Sequence, residues 1–168
     1  MKEVTSIIAN RKSCRSFLPK EVDINDIYTM LESARWAPSG KNGQPWRFVI
    51  VKDSITKKRI AECSKYKYWM VEANVFIIVY FDKEKSYHYK KDLQGIGAAI
   101  ENICLQATAL GIGSCWIGEI LDNEATVNEI INVPKSYELM AVICIGYEKM
   151  QEKKTERLEL DALIYQVI

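Results

Sequence analysis

Two long apolar runs dominate the hydrophobic pattern of the chain, and both predict buried β-strands. Residues 75–81 and 139–147 are apolar almost without interruption, which is typical of strands that are covered on both faces. The shorter runs 46–51 and 114–117 are aromatic or β-branched in character and predict two further strands. The pattern therefore predicts a sheet whose central strands lie in the interior.

Helical spacing of apolar residues accounts for much of the sequence between these strands. The longest predicted helix covers residues 92–110 and ends at Gly111. Its wide apolar stripe consists of Ile96, Ala99, Ile100, Ile103, Cys104 and Ala107. The small residues Gly95 and Gly97 in the same helix allow another backbone to come close.

Shorter helices are predicted on either side of the long one. One begins at a cap formed by Asp23 or Asn25 and ends before Pro38. Others are predicted over residues 5–10, 54–61 and 124–131. We expect the aromatic-rich stretch 66–72 to be irregular, as a substrate-side lid or as surface packing. Residues 157–163 are expected to form a last short helix or arm.

Composition and charge indicate one soluble domain covering residues 1–168. The chain is 48% hydrophobic and 27% charged, with a net charge of +1, so nothing favours nucleic acid or an acidic membrane as a partner. The N-terminus lacks the apolar core of a signal peptide, and the apolar runs are too short to span a bilayer. We therefore expect a cytoplasmic protein.

The five cysteines and the single histidine argue against a metal site. The cysteine number is odd, no Cys-x-x-Cys pair occurs, and His88 is the only imidazole. Zinc and iron–sulfur sites need clustered ligands, so we expect no metal and mostly buried, reduced thiols, as in a cytosolic protein.

Several common catalytic motifs are absent or incomplete. The pairs Gly95-x-Gly97 and Gly111-x-Gly113 do not complete a dinucleotide-binding fingerprint, and neither lies between a strand and a following helix in the required order. No phosphate-binding loop and no nucleophile elbow occurs. His88 lies in a charged loop without a recognisable partner.

Four separated segments remain as candidates for a binding site. The first contains Arg11, Lys12, Ser13 and Arg15; it is either a solvated basic loop or a site for an oxyanion, which guanidinium groups and hydroxyls bind well. The second is the loop 35–46, which closes a helix and opens a strand, a usual place for a flat polar ligand. The others are the segment 110–118 and the late cation Arg157.

In their order and separation, these four segments resemble the motifs of the nitroreductase family. The loop is similar to the family's Pro-Ser-x-x-Asn-x-Gln-Pro-Trp pattern, and residues 111–118 are similar to its Gly-Leu-Gly-x-x-Trp-x-Gly pattern. The resemblance extends over nearly the whole chain. It implies that the protein binds FMN and that each FMN lies at the interface of a homodimer.

The resemblance also implies roles for individual residues. The phosphate, ribityl chain and pyrimidine edge of FMN would be held by Arg11, Lys12, Ser13 and Arg15, with Arg157 as a further phosphate ligand. Some members have a second cation two residues before the last arginine; this chain has Thr155 there, so Lys153 or Lys154 would have to substitute. The isoalloxazine of the partner subunit would be reached by Pro38, Ser39, Gly40 and Asn42.

The segment Trp116, Ile117 and Gly118 matches the part of the family pattern that places a backbone amide near flavin N5. A donor there would polarise the atom that takes the hydride, and a cation near the pyrimidine edge would stabilise the reduced ring. The chemistry would take place at N5, so no catalytic side chain is implied.

As a whole, the resemblance implies an α+β fold with a central mixed, mostly antiparallel sheet, helices on both faces and a homodimer built around the helix 92–110. The implied activity is a ping-pong transfer of hydride from NADH or NADPH through FMN to nitroaromatics, quinones or similar acceptors. The stretch between residues 52 and 75 is too short for a large insertion that would cover the substrate, so the identity of the electron acceptor is left open. Alternatives are another FMN enzyme on the same scaffold, of the dehalogenase or flavin-consuming type, and a flavin-binding module without turnover.

Overall fold

In the part of the chain that the structure describes, four strands form one antiparallel sheet with the order β1-β2-β4-β3. The structure, a computed structural model, describes residues 3–150 and 156–168. Its strands are β1 (Trp46–Val51), β2 (Val75–Asp82), β3 (Gly113–Ile117) and β4 (Tyr137–Gly146). Every residue of β2 is buried, and β2 and β4 pair at the centre of the sheet with a bulge between Val79 and Tyr80. This confirms the predicted interior position of the two longest apolar runs.

Six α-helices surround the sheet within the described residues. They are α1 (Val4–Asn10), α2 (Ile24–Arg35), α3 (Ser54–Ala61), α4 (Lys67–Met70), α5 (Tyr89–Leu110) and α6 (Glu124–Ile131). None of these helices is long and apolar enough to cross a bilayer.

Two hydrophobic clusters separate the three layers of the molecule. On one face of the sheet, alternate residues of β2 and β4 pack against α2 and α5, with Met30, Ile96 and Ile103 at the centre of the contact. On the other face, the intervening residues pack against α3, α4 and α6. The predicted α+β fold with helices on both faces is confirmed, and its four strands pair only in the antiparallel sense.

Residues 13–18 extend the sheet beyond its four strands. Ser13 forms an isolated parallel bridge with Ser114, and Phe17 forms an antiparallel bridge with Glu148. The mixed character expected from the resemblance is therefore limited, in the described chain, to the bridge at Ser13. The N-terminal segment lies along the outer edge of β3 because of this pairing.

The long helix begins earlier than its sequence pattern predicts. Its first residue is Tyr89 rather than Asp92, because the buried Asp92 carboxylate accepts hydrogen bonds from Ser86 Oγ, Tyr87 N and His88 N. Asp92 thus caps the helix from inside its first turn. The stretch expected to be irregular contains the short helix α4, and the C-terminal arm contains one 3₁₀ turn, Leu160–Ala162.

Candidate functional site

The basic segment has two chemically different sides. Cys14 N donates to Ser114 O at 2.9 Å, which together with the isolated bridge at Ser13 holds the segment beside β3. Arg11 and Lys12 point to different sides of this segment, because Arg11 contacts Glu101 of α5 whereas Lys12 contacts Glu148. Lys12 Nζ lies 2.7 Å from Glu148 Oε1 and, with the buried Cys14, lines a small cavity near the C-terminal end of α5.

The Arg11 side of this segment faces the same side of α5 as Trp116. Arg11 Nε is 3.5 Å from Glu101 Oε1, and Trp116 Cη2 lies 4.0 Å from the position that a Cβ at Gly97 would take. Gly97 and Glu101 are one helical turn apart and therefore neighbours on one face. The structure thus brings together the basic segment and the start of the predicted N5 segment.

The backbone after β3 is open to approach. Trp116 is 43% exposed, whereas Ile117 is buried on the opposite face of the sheet. Gly118 has an ordinary φ of −93°, and a Cβ there would meet no atom within 4 Å among the described residues. The side of Gly118 on which a Cβ would lie is therefore open.

Glu119 attaches this open backbone to a distant loop. Its carboxylate accepts hydrogen bonds from Ser64 Oγ at 2.6 Å and from Lys65 N at 3.2 Å, and the bond from Ser64 lowers the pKa of Glu119. Asn123 Nδ2 adds a bond to Cys63 O at 2.8 Å. This contact could not be predicted from the sequence, because the partners are more than fifty residues apart and neither belongs to a motif.

The loop after α2 has a strained backbone. Lys41, Asn42 and Gln44 have φ angles of 51°, 55° and 45°, a left-handed region that side chains other than glycine seldom adopt. Ser39 stabilises the turn: its Oγ accepts from Gln44 N at 3.1 Å, and its carbonyl accepts from Asn42 N at 3.0 Å. Such strain persists only where surrounding contacts impose it, and it is common at ligand sites.

An ion pair below the loop supplies part of that support. Arg47 Nη2 lies 2.8 Å from Oδ2 of the buried Asp82, and Arg47 also donates to the carbonyls of Gln44 and Trp46. Asp82 N donates to Pro45 O at 2.8 Å. The pairing of Arg47 with Asp82 could not be predicted from the sequence, because the two residues belong to different strands and are brought together only by the sheet.

The loop packs against a different face of α5 from the basic segment. A Cβ at Gly95 would lie 2.9 Å from Pro38 O, so this glycine allows the loop to touch the helix, as the sequence analysis predicted for the small residues of α5. Gly95 and Gly97 point about 200° apart around a helix. Within one chain, the helix therefore lies between the loop residues Pro38, Ser39, Gly40 and Asn42 and the surface that carries Arg11.

Arg157 lies at the start of the exposed C-terminal arm. Its Nη1 donates to Glu156 O at 3.3 Å. Lys153, Lys154 and Thr155, which the sequence analysis considered as phosphate ligands, lie outside the described residues.

The titratable groups of the described chain offer neither a metal site nor a reactive thiol. No three His, Cys, Asp or Glu side chains within residues 3–150 and 156–168 are grouped closely enough to hold a metal ion. All five cysteines are buried and none is in a disulfide, which confirms the expected buried thiols. Burial raises the pKa of Cys104 to about 11 and that of Cys144 well above its usual value, so these two thiols stay protonated at neutral pH.

Known proteins are similar to this chain in sequence and in fold. The family model described as Nitroreductase family matches residues 8–66 and 61–147. A protein of Archaeoglobus fulgidus assigned as an NADH dehydrogenase/NAD(P)H nitroreductase is 34% identical over 152 residues, which are 89% of this chain and 87% of that protein. The iodotyrosine deiodinase of Thermotoga neapolitana is 26% identical, with 95% of this chain and 96% of that protein covered.

The solved structures include a similar fold with a bound flavin. A nitroreductase-type protein from Desulfovibrio desulfuricans, crystallised in complex with FMN, superposes with a TM-score of 0.94 at 31% identity and covers 100% of this chain and 98% of its own. The family model matches most of the chain, and the proteins of Archaeoglobus fulgidus and Desulfovibrio desulfuricans are both more than 30% identical to it. This chain therefore belongs to the nitroreductase family.

Proposed function

We propose that this chain is an FMN-dependent oxidoreductase that takes hydride from NADH or NADPH and reduces small electron-poor acceptors such as nitroaromatics and quinones. One observation carries the proposal. Ser13 pairs with Ser114, so Arg11, Ser13 and Arg15 lie beside the strand that leads to the open backbone of Gly118. The proposed phosphate ligands and the proposed place for the flavin ring therefore lie along the same strand.

The residues of this surface fit FMN. A phosphate needs several hydrogen-bond donors, cationic ones above all. Arg11 and Arg15 can supply cationic donors, the Ser13 hydroxyl a neutral one, and Arg157 a further cation. The side of Gly118 on which a Cβ would lie is open, and the ring edge would approach the backbone there. When bound, FMN supplies the redox chemistry, taking two electrons as hydride at N5 and passing them on in a ping-pong cycle.

The chain's own contribution is binding, orientation and electrostatics. A backbone N–H near Gly118 would hold and polarise N5, and a guanidinium at the pyrimidine edge would stabilise negative charge on the reduced ring. Hydride transfer to N5 requires no nucleophile, which suits a chain whose thiols are buried.

The proposed active form is a homodimer with one FMN at each end of the interface. Two observations support it. The loop with Ser39 and the basic segment lie on different faces of α5, so the loop would contact the FMN held by the partner. The arm 156–168 exposes large apolar side chains, including Tyr165 at 99% and Val167 at 87% exposure, which a second copy would cover.

We further propose that the single domain is cytoplasmic. Five buried cysteines outside any disulfide suit a reducing compartment, where disulfides seldom persist.

Anaerobic reduction of the purified protein tests the proposal. The protein is loaded with FMN, and NADH or NADPH is added in the absence of oxygen while the flavin absorbance near its visible maximum is followed. We expect the yellow colour to bleach and to return on addition of a quinone. A protein that binds FMN but is not bleached by either nucleotide would be a flavin-binding module without turnover, which contradicts the proposal.

Reductive dehalogenation is the second candidate function, because the deiodinase of Thermotoga neapolitana aligns over 95% of this chain. The bleached protein is offered a halogenated phenol and a quinone in parallel. Release of halide at a rate comparable with quinone reduction would favour the dehalogenase. Reoxidation by the quinone alone favours the first proposal.

A further inference from the structure

Two lysines lie over one tyrosine ring beside the strained loop. Lys41 Nζ is 4.5 Å and Lys91 Nζ is 5.2 Å from the ring centroid of Tyr87. Tyr87 itself is 43% exposed. The two ammonium groups share this ring although they come from different elements, one from the loop after α2 and one from the first turn of α5. They form a cluster, Lys41–Tyr87–Lys91, that neither the resemblance nor the sequence analysis assigned to the site.

The ring at the centre of this cluster is held firmly. Tyr87 Cδ1 lies only 2.6 Å from the position that a Cβ at Gly40 would take, so the ring packs directly on the loop. Its backbone N–H is bonded to Asp92 Oδ2 at 2.9 Å, and the same oxygen accepts from Ser86 Oγ and His88 N. The turn before α5 therefore presents Tyr87 as a fixed platform.

The positive charge of the cluster is not neutralised within the described chain. Among residues 3–150 and 156–168, no carboxylate lies within ion-pair distance of Lys41 or Lys91. The nearby carboxylate of Asp92 is 1% exposed and occupied by its three donors. Two ammonium groups on one ring lie within about a Debye length, roughly 10 Å, and repel each other. A ligand with two negative charges would remove that repulsion.

We infer that Lys41 and Lys91 bind the 2′-phosphate that distinguishes NADPH from NADH. The inference rests on the proposed function, in which the loop 38–42 contacts the flavin. Because the donor would stack on that flavin, the exposed Lys41 and Lys91 would lie at the rim of the donor site. A phosphate monoester carries close to two negative charges at neutral pH, which matches two ammonium groups. Lys41 and Lys91 are thus residues that determine donor specificity, and the chain prefers NADPH.

Steady-state kinetics with two donors and one uncharged quinone test this assignment. The double variant Lys41→Gln, Lys91→Gln is compared with the wild type, and Lys90→Gln serves as the matched control. Lys90 is the exposed lysine next to Lys91 and has no place in the cluster. Exposed ion pairs are individually weak, so we expect the double variant to raise KM for NADPH about tenfold while KM for NADH and kcat change less than about twofold. Lys90→Gln leaves both KM values near those of the wild type.

A binding measurement with fragments separates the phosphate from the rest of the nucleotide. Adenosine 2′,5′-bisphosphate and adenosine 5′-monophosphate are compared as inhibitors against NADPH. The first should lose about tenfold in affinity in the double variant, and the second should not. Replacement by arginine at both positions should retain the preference, since the charge is kept.

Three results would overturn the inference. KM values for NADPH and NADH that rise in parallel would mean that the lysines bind a group common to both donors. Equal effects of the double variant and Lys90→Gln would reduce the cluster to general surface charge. Unchanged KM values would remove it from the donor site. Failure of the proposed function looks different, because the wild-type flavin would then not be bleached by either nucleotide.

Discussion

The different directions of the Arg11 and Lys12 side chains decide which of these two cations can share a ligand with the surface of α5. Sequence similarity grouped Lys12 with Arg11, Ser13 and Arg15, but pairing with β3 turns Lys12 toward Glu148, 2.7 Å away. We expect Arg11→Ala to weaken FMN binding by about 1.5–3 kcal/mol, the scale of a hydrogen bond to a charged group. Fluorescence titration of the apoprotein with FMN measures the loss.

Lys12→Ala is the matched variant for this titration, because it removes the same charge from the neighbouring residue. Its effect should be clearly smaller than that of Arg11→Ala, since the side chain points away from the surface of Arg11. Equal losses from both substitutions would show that the segment acts only through its total charge, and FMN affinity unchanged in Arg11→Ala would refute its role as a phosphate ligand.

Gly118 offers a second substitution whose effect on folding is small. A Cβ meets nothing within 4 Å there among the described residues, and the φ of −93° suits any residue. We expect Gly118→Leu to slow anaerobic flavin reduction about tenfold or more, because the side chain would fill the space proposed for the ring edge; a change of about 1.4 kcal/mol in the barrier gives this factor. Stopped-flow absorbance measures the rate. Normal kinetics with full FMN binding would exclude Gly118 from the N5 region.

Tyr80 is a buried side chain whose hydroxyl finds no hydrogen-bond partner among the described residues. Burial raises the pKa of Tyr80 to about 12, so the folded state resists ionisation more than the unfolded state does. The stability that this pKa difference contributes is fully present below the pKa of the unfolded state, near 10, and is lost as the pH rises toward 12. We expect Tyr80→Phe to unfold at higher pH than the wild type.

Denaturant titrations at about pH 7 and above about pH 10 check this expectation for Tyr80. At neutral pH the substitution should be neutral or slightly stabilising, because it removes a polar group that is buried without a partner in the described chain. A loss of stability at neutral pH would show that the hydroxyl has a partner in solution, such as an ordered water molecule.

At the scale of elements, the contact between the loop and α5 depends on one small residue. A Cβ at Gly95 would lie 2.9 Å from the carbonyl oxygen of Pro38, so Gly95→Ala must displace the loop or the helix. Overpacking of this kind costs about 1–3 kcal/mol, against a gain in helix propensity of about 1 kcal/mol. We expect a lower melting temperature and weaker FMN binding.

Gly97→Ala is the control, because it has the same gain in helix propensity but meets only Trp116 Cη2 at 4.0 Å among the described residues. It should destabilise the protein less than Gly95→Ala does. If Gly95→Ala binds FMN as tightly as Gly97→Ala, the position of the loop does not matter for the cofactor.

The spacing of apolar residues predicted most helices and strands. It failed where a hydrogen-bonding side chain sets the end of an element. Both central strands and the helices α2, α3 and α6 follow from apolar spacing. The start of α5 does not, since Asp92 caps the helix from inside by bonds to residues 86–88. The contact of Glu119 with Ser64 could not be predicted either, because only the packed structure brings residues 55 positions apart together.

For the whole molecule, the strand order and the division of the site are properties of topology. The order β1-β2-β4-β3 places β3 at an edge, which leaves it free to pair with Ser13 and so to join the first and third predicted segments. The same topology places α5 between the loop and this edge. The sequence could indicate all four segments through their resemblance to the family motifs. The strand order of the sheet decides which of these segments lie together within one chain.

The C-terminal arm gives the test at this scale, because its apolar surface has no function in an isolated chain. Leu160 and Leu163 are 70% and 64% exposed. We expect the double variant Leu160→Glu, Leu163→Glu to shift the protein from dimer toward monomer and to release FMN, because charges would have to be buried against the partner. Sedimentation velocity at micromolar concentration and the flavin content of the purified protein measure both effects.

Ile55→Glu provides the control, since Ile55 is equally exposed at 71% but lies on α3, behind the opposite face of the sheet from α5. This variant should remain dimeric and yellow. Dimers that persist in the arm variant would show that the arm does not belong to the interface. A wild-type protein that is monomeric and still retains FMN would contradict the proposal of a shared site. A single chain would then bind the cofactor although its loop and its basic segment lie on separate faces of α5.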